Sequence, residues 1–105
     1  MELLSPAGSF DCLRAAVQNG ADAVYLGLKE FSARSSAENF TRDSLQEAVF
    51  YCHTRGVKVH LAFNTLMDEA DLDRAVEIGI FAQNAGVDAL IIQDLGLAKR
   101  LRTYC

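Results

Sequence analysis

Apolar residues are arranged in two ways along this chain. They form short unbroken runs entered through a glycine, and between those runs they recur at every third or fourth position. The runs are Gly20 to Leu26 (GADAVYL), Gly56 to Ala62 (GVKVHLA) and Gly86 to Ile92 (GVDALII). A glycine that follows a helix adopts the left-handed φ that ends it at little cost. A run of Val, Ile, Leu and Ala without regular polar alternation suits a strand covered on both faces. Each run therefore predicts a helix stop followed by a buried strand. Glu2 to Ser5 (ELLS) predicts a further strand at the start.

The intervening segments read as amphipathic helices. After Thr41, an N-cap with Asp43 in the first turn, Leu45, Ala48, Val49 and Cys52 fall at i, i+3, i+4 and i+7, one stripe for packing on a sheet. Leu13, Ala16 and Val17 do the same in the first helix. In the third, Asp68 or Asp71 is expected to cap a helix whose Leu72, Val76, Gly79, Ile80 and Gln83 share a face, leaving Asp73, Arg74 and Glu77 in water. The acidic start DEAD is read as helix capping rather than a metal site.

The expected strand centres, Leu3, Val24, Val59 and Leu90, are separated by 21, 35 and 31 residues. That spacing suits a (β/α) barrel, which uses roughly 250 residues for eight units. The fold class is therefore α/β, with parallel (β/α) units forming about the first half of a TIM-type (β/α)8 barrel. Residues 1–105 are expected to form a single domain of four βα units, a truncated barrel ending in or just after a fourth helix at Leu101 to Cys105. Such a half barrel has two unpaired sheet edges and an apolar inner face, so self-association through the edges is expected. The competing architecture is a small open α/β sandwich, which would need helices on both faces.

Composition removes several functions. Half of the 105 residues are hydrophobic, 23% are charged and there is a single proline, a globular profile. A formal net charge of -4 and a pI near 5.0 argue against tight, unaided nucleic-acid binding through a basic surface. Only Lys99, Arg100 and Arg102 cluster, near the end of a helix whose dipole they complement. No apolar run approaches the roughly 20 residues that span a bilayer, and MELLSPAGS lacks a signal-peptide profile, so the expected location is the cytoplasm. Cys12, Cys52 and Cys105 are too far apart for a zinc clip or a disulfide framework. Cys12 and Cys52 are read as buried structural thiols.

In a barrel of this kind the working residues lie at the C-terminal ends of the strands and in the loops that follow. Ser5 to Gly8 follow the first strand. The stretch after the second, Lys29 to Phe40 (KEFSARSSAENF), is much longer than the usual two to six residues. Within it Arg34 offers a forked donor for a carboxylate or phosphate, and Asn39 could orient such a group. The bland roles are a surface salt bridge for Arg34 and a turn or cap for Asn39. Asn64 and Thr65 follow the third strand, Gln93 and Asp94 the fourth. Asp94 is a candidate general base or holder of a substrate hydroxyl, and it equally could cap the helix starting near Leu95. His60, expected in register with Val24 and Leu90, reads as a hydrogen-bonded core residue, His53 as a helix flank, and Asp22 and Asp88 as turn residues.

The opening ELLSPAGSFDCLRAAVQNGADAVYLG, the loop FSARSSAENF, the segment HLAFNTL and the run LIIQDLGLAKRL together resemble the N-terminal part of the collagenase-like peptidases, peptidase family U32. That resemblance implies a barrel catalytic domain. Some members are described as proteases of unknown mechanism. Others hydroxylate tRNA or ribosomal RNA bases, some with prephenate implicated, or hydroxylate the ubiquinone ring without oxygen, and these carry an iron-sulfur cluster on four cysteines. The family's cysteine signature lies beyond residue 105 and is not matched by Cys12, Cys52 or Cys105. No cofactor is therefore expected within these residues, although a cluster is expected in the complete protein.

The resemblance thus implies an RNA-base or quinone hydroxylating protein that uses a small anion, with RNA engaged only through the missing part. The alternatives are a protease and a non-catalytic half barrel. Arg34, Asn39, Asn64, Thr65 and Gln93 would suit the small anion.

Overall fold

The computed structural model describes residues 3–28, 40–63, 69–92 and 95–104. Strand and helix alternate throughout: β1 (Leu4–Pro6), α1 (Phe10–Gln18), β2 (Ala23–Leu26), α2 (Arg42–His53), β3 (Lys58–Phe63), α3 (Glu69–Ala85), β4 (Ala89–Ile92) and α4 (Leu95–Tyr104). The helix stops are those the glycines predict, since Gly20, Gly56 and Gly86 have φ of 89°, 73° and 97°. Thr41 caps α2 with a reciprocal pair: its hydroxyl accepts from the Ser44 N–H at 3.2 Å while its own N–H donates to Ser44 Oγ at 2.8 Å.

The four strands are parallel and lie in chain order, β1-β2-β3-β4. One hydrogen-bonded row runs Pro6, Tyr25, His60, Ala89. His60 thus pairs with Tyr25 and Ala89, not with Val24 and Leu90, whose partners are Val59 and Leu61. This one-residue correction moves His60 to the other face of the sheet. The same row holds the last residue of β1 and the first of β4, so over three strand-to-strand steps the C-terminal strand ends advance by three rows and the N-terminal ones by two. A stagger of about one residue per strand characterises an eight-stranded barrel with shear 8, and the sheet is compatible with part of one.

Because side chains alternate along a strand, Val24, Leu26, Val59, Leu61 and Phe63 share one face, and all five are buried in a single cluster with Leu13, Leu45, Ala48, Val49, Cys52, Ala75 and Ile78 from the helices. α1 packs on β1 and β2, α2 on β3 and α4 on β4, and each helix touches the next. Helices of the described chain therefore cover one face, whereas the sandwich alternative needs two. Full burial of each Leu or Phe in this layer contributes on the order of 1.5–3 kcal/mol.

The α2 stripe is buried as its spacing predicts. α3 differs. Its inward side is Leu72, Ala75, Ile78, Gly79 and Ala82, with Val76 and Ile80 half-buried and Gln83 exposed. Small residues let α3 approach α4 closely: a Cβ on Gly79 would lie 2.6 Å from Leu101 Cδ2. Close helix packing, rather than bulk hydrophobicity, chose that face.

Candidate functional site

Parallel strands in chain order put all four C-terminal strand ends at the same edge of the sheet, and a segment of chain follows each. Six predicted site residues belong to those segments. Arg34 and Asn39 follow β2, Asn64 and Thr65 follow β3, and Gln93 and Asp94 follow β4; all six lie outside the described residues. Their anchors are described. Leu28 and Phe40, which flank the stretch carrying Arg34 and Asn39, form a parallel bridge, and the Phe40 N–H donates to the Gly27 carbonyl at 3.1 Å. Both anchors are buried, and the Phe40 ring stands 6.2 Å from that of Phe10 at the start of α1. The two ends of the long segment are thus held together beside the tip of β2. Phe63 and Ile92, paired with each other, end the other two strands.

At the opposite edge, where the chain enters the strands, Asp22 and Asp88 do more than turn the backbone. Asp22 Oδ2 accepts from the Leu3 N–H at 2.7 Å, and Asp88 Oδ2 accepts from the Val59 N–H at the same distance. In return the Asp22 and Asp88 N–H groups donate to the carbonyls of Leu3 and Val59. Each aspartate clamps the strand before its own in the sheet. Asp88 also takes a 2.8 Å hydrogen bond with His53 Nε2. Burial would raise the Asp88 carboxyl, but the Val59 N–H and the His53 contact, followed by the charges of His53 and His60, outweigh it and hold the group below its ordinary value. The signal was present in the sequence as the repeated Gly-Ala-Asp and Gly-Val-Asp before two of the strands. Its geometry places it at the stabilising edge of a barrel-type sheet, away from the loops.

The cysteines split. Cys52 is buried, as expected, and burial pushes its thiol up to about 11, the Arg55 charge opposing this. Cys12 is exposed, against expectation: the stripe of α1 runs through Leu13, Ala16 and Val17 and turns residue 12 outward. Cys105 lies outside the described residues. Among the described residues no group of three His, Cys, Asp or Glu could hold a metal ion. No helix among them is long and apolar enough to cross a membrane.

His60 is half-buried. With Tyr25 it stands on the sheet face opposite the helices.

The model of Peptidase family U32 matches residues 8–105. The chain belongs to this family. It is 51% identical over 96 residues to a protein of Methanocaldococcus jannaschii named as an uncharacterized protease, a match covering 91% of this chain and 24% of that protein. It is 40% identical to the Escherichia coli 23S rRNA 5-hydroxycytidine C2501 synthase over 94% of this chain and 15% of the relative. To the Escherichia coli tRNA hydroxylation protein P it is 35% identical, over 98% of this chain and 23% of the relative. The chain spans about a quarter or less of the length of these curated relatives. As a U32 chain its parallel sheet supplies part of what those longer proteins contain.

Proposed function

We propose that this U32 chain supplies the first four βα units of a TIM-type barrel in a cytoplasmic protein that hydroxylates an RNA base, using prephenate or a similar small anion. The observation that supports this reading is topological: in a parallel sheet in chain order β2, β3 and β4 end at one edge, and the sequence puts Arg34 and Asn39, Asn64 and Thr65, and Gln93 and Asp94 after those ends. Two relatives named for RNA hydroxylation give the reaction class. In this reading Arg34 grips a carboxylate with two guanidinium N–H groups, and the amides and hydroxyl of Asn39, Asn64, Thr65 and Gln93 orient the ligand. Asp94 accepts a proton or holds a substrate hydroxyl.

The iron-sulfur cluster implied by the resemblance would sit on cysteines other than the three of this chain and would supply the redox chemistry. RNA, too, would be held by parts of the protein beyond these residues, since the chain carries a net charge of -4. A ubiquinone ring is the other acceptor this reading admits.

Arg34→Ala in the full-length protein tests the reading. Prephenate binding and base hydroxylation should both fall at least about tenfold, the loss expected for a charge-assisted bidentate contact. Unchanged binding and activity would remove Arg34 from the site.

A second reading, peptide hydrolysis, is favoured by the name of the 51% identical relative. The His53–Asp88 pair lends it no support, because Asp88 is engaged with the Val59 backbone at the edge entering the strands. Highly purified full-length protein that cleaves gelatin or casein would establish this reading. Consistent failure across substrates would dismiss it.

A further inference from the structure

The face of the sheet turned away from the helices carries Leu4, Pro6, Ala23, Tyr25, Lys58, His60, Ala62, Ala89 and Ile91, as the register and the alternation of side chains require. Tyr25 and His60 are direct partners across β2 and β3, so their Cα atoms are about 5 Å apart and their side chains leave the sheet on the same side. Both are half-buried, and neither has a side-chain hydrogen-bond partner among the described residues.

Their surroundings on that face are small. Ala23 lies two residues before Tyr25, Ala62 two residues after His60, and Ala89 pairs with His60 on the far side. Gly27 follows Tyr25 by two, and a Cβ built there would meet nothing nearer than the Ala62 carbonyl at 3.8 Å. A large phenol and an imidazole thus rise side by side from a bed of methyl groups, of which Ala23 and Ala62 are buried and Ala89 is exposed. Lys58, two residues before His60, shares the face, and its described residues include no carboxylate. The polar groups offered are therefore a hydroxyl, a ring nitrogen and an ammonium.

We propose that Tyr25 and His60 form the floor of a ligand site on this face, hydrogen-bonding the carboxylate of a small acid whose compact apolar body lies over the exposed Ala89. This assignment rests on the reading of the protein as one that uses a small anion, and it adds two contacting residues that lie on rigid strands rather than in loops. The strands hold the phenol and imidazole at a fixed spacing, so the two donors are in place before the ligand arrives. The exposed methyl of Ala89 beside His60 gives an apolar body a surface to rest on, and the donor-rich surface matches an anion rather than a cation.

The experiment uses the full-length protein with prephenate as the probe. Binding is measured by calorimetry for the wild type, Tyr25→Phe, His60→Gln and Ala89→Leu, alongside melting temperatures. The wild type with labelled histidines is also titrated by NMR. The expected result is a Kd raised at least about tenfold in each variant, as for loss of one hydrogen bond to a charged group or for a filled bed. Melting of Tyr25→Phe should be unchanged, because its ring still packs, and the His60 ring signals should move with saturation.

The titration stands even where a variant fails to fold. Wild type that binds prephenate while the variants keep its affinity, or while the His60 signals stay fixed, overturns this assignment alone. Wild type that binds no prephenate overturns the small-acid reading together with it.

Discussion

Asp88 gathers two partners at one carboxylate oxygen, the Val59 N–H and His53 Nε2, while its own backbone N–H donates to the Val59 carbonyl. Removing it leaves the Val59 N–H without an acceptor at a half-buried position, which costs about 1–3 kcal/mol. Asp88→Ala should lower stability by that amount in urea melts. Asp22→Ala should cost less, because Asp22 clamps the Leu3 N–H without a histidine. The Asp88 carboxyl is held below its ordinary value, so its contribution is fully present above the unfolded carboxylate pKa of about 3.9 and is lost as pH falls through the lower folded value. Stability of the wild type should therefore drop more steeply than that of Asp88→Asn below roughly pH 4, checked by melts across that range. Thiols give an independent check of packing. At pH 8 a maleimide should label exposed Cys12 at once and buried Cys52, whose thiol stays protonated up to about 11, only on unfolding, as peptide mapping will show.

The helices are fixed mainly at their ends. Thr41→Ala removes the hydroxyl that accepts from Ser44 N–H and should cost about 1 kcal/mol. Gly86→Ala should cost more than the same change at an ordinary helical glycine. Its φ of 97° disfavours any side chain, although the added Cβ would find no more than ordinary contact with Val49 Cγ1 at 3.4 Å. Melting of the two variants checks both. These ends were legible in the sequence because glycine and threonine act locally, through their own φ and their own hydroxyl. The α2 stripe was equally legible, since large apolar residues mark it. The inward side of α3 was not, because alanine and glycine carry little hydrophobic signal and their burial follows from how closely α4 lies. Register escaped for a similar reason: runs such as AVYL and ALII are apolar at every position, so a one-residue slip leaves no trace in the sequence. Only pairing decides that His60 faces away from the helices. The loop candidates followed from strand direction alone, and strand direction is the part of that reading that the fold bears out.

At the scale of the whole molecule, one sheet face is covered by helices, and β1 and β4 each have a single strand neighbour among the described residues. Leu3 and Leu4 are 51% and 44% exposed at one edge and Ile91 is 37% exposed at the other. Unpaired backbone beside exposed leucine and isoleucine is a template for further strand pairing, and in a parallel sheet β4 of one molecule can meet β1 of another without reversing direction. Two copies joined twice in this way would supply eight strands, with the one-residue stagger that a closed ring requires. We therefore expect the 105-residue chain, studied by itself, to associate, with the dimer growing at the expense of monomer as concentration rises in sedimentation experiments. Ile91→Lys places a charge on the inner face at the β4 edge and should shift the equilibrium towards monomer while leaving the helix-covered core intact. A chain that sediments as a monomer at every concentration, with the lysine variant indistinguishable from it, would mean that these edges do not pair.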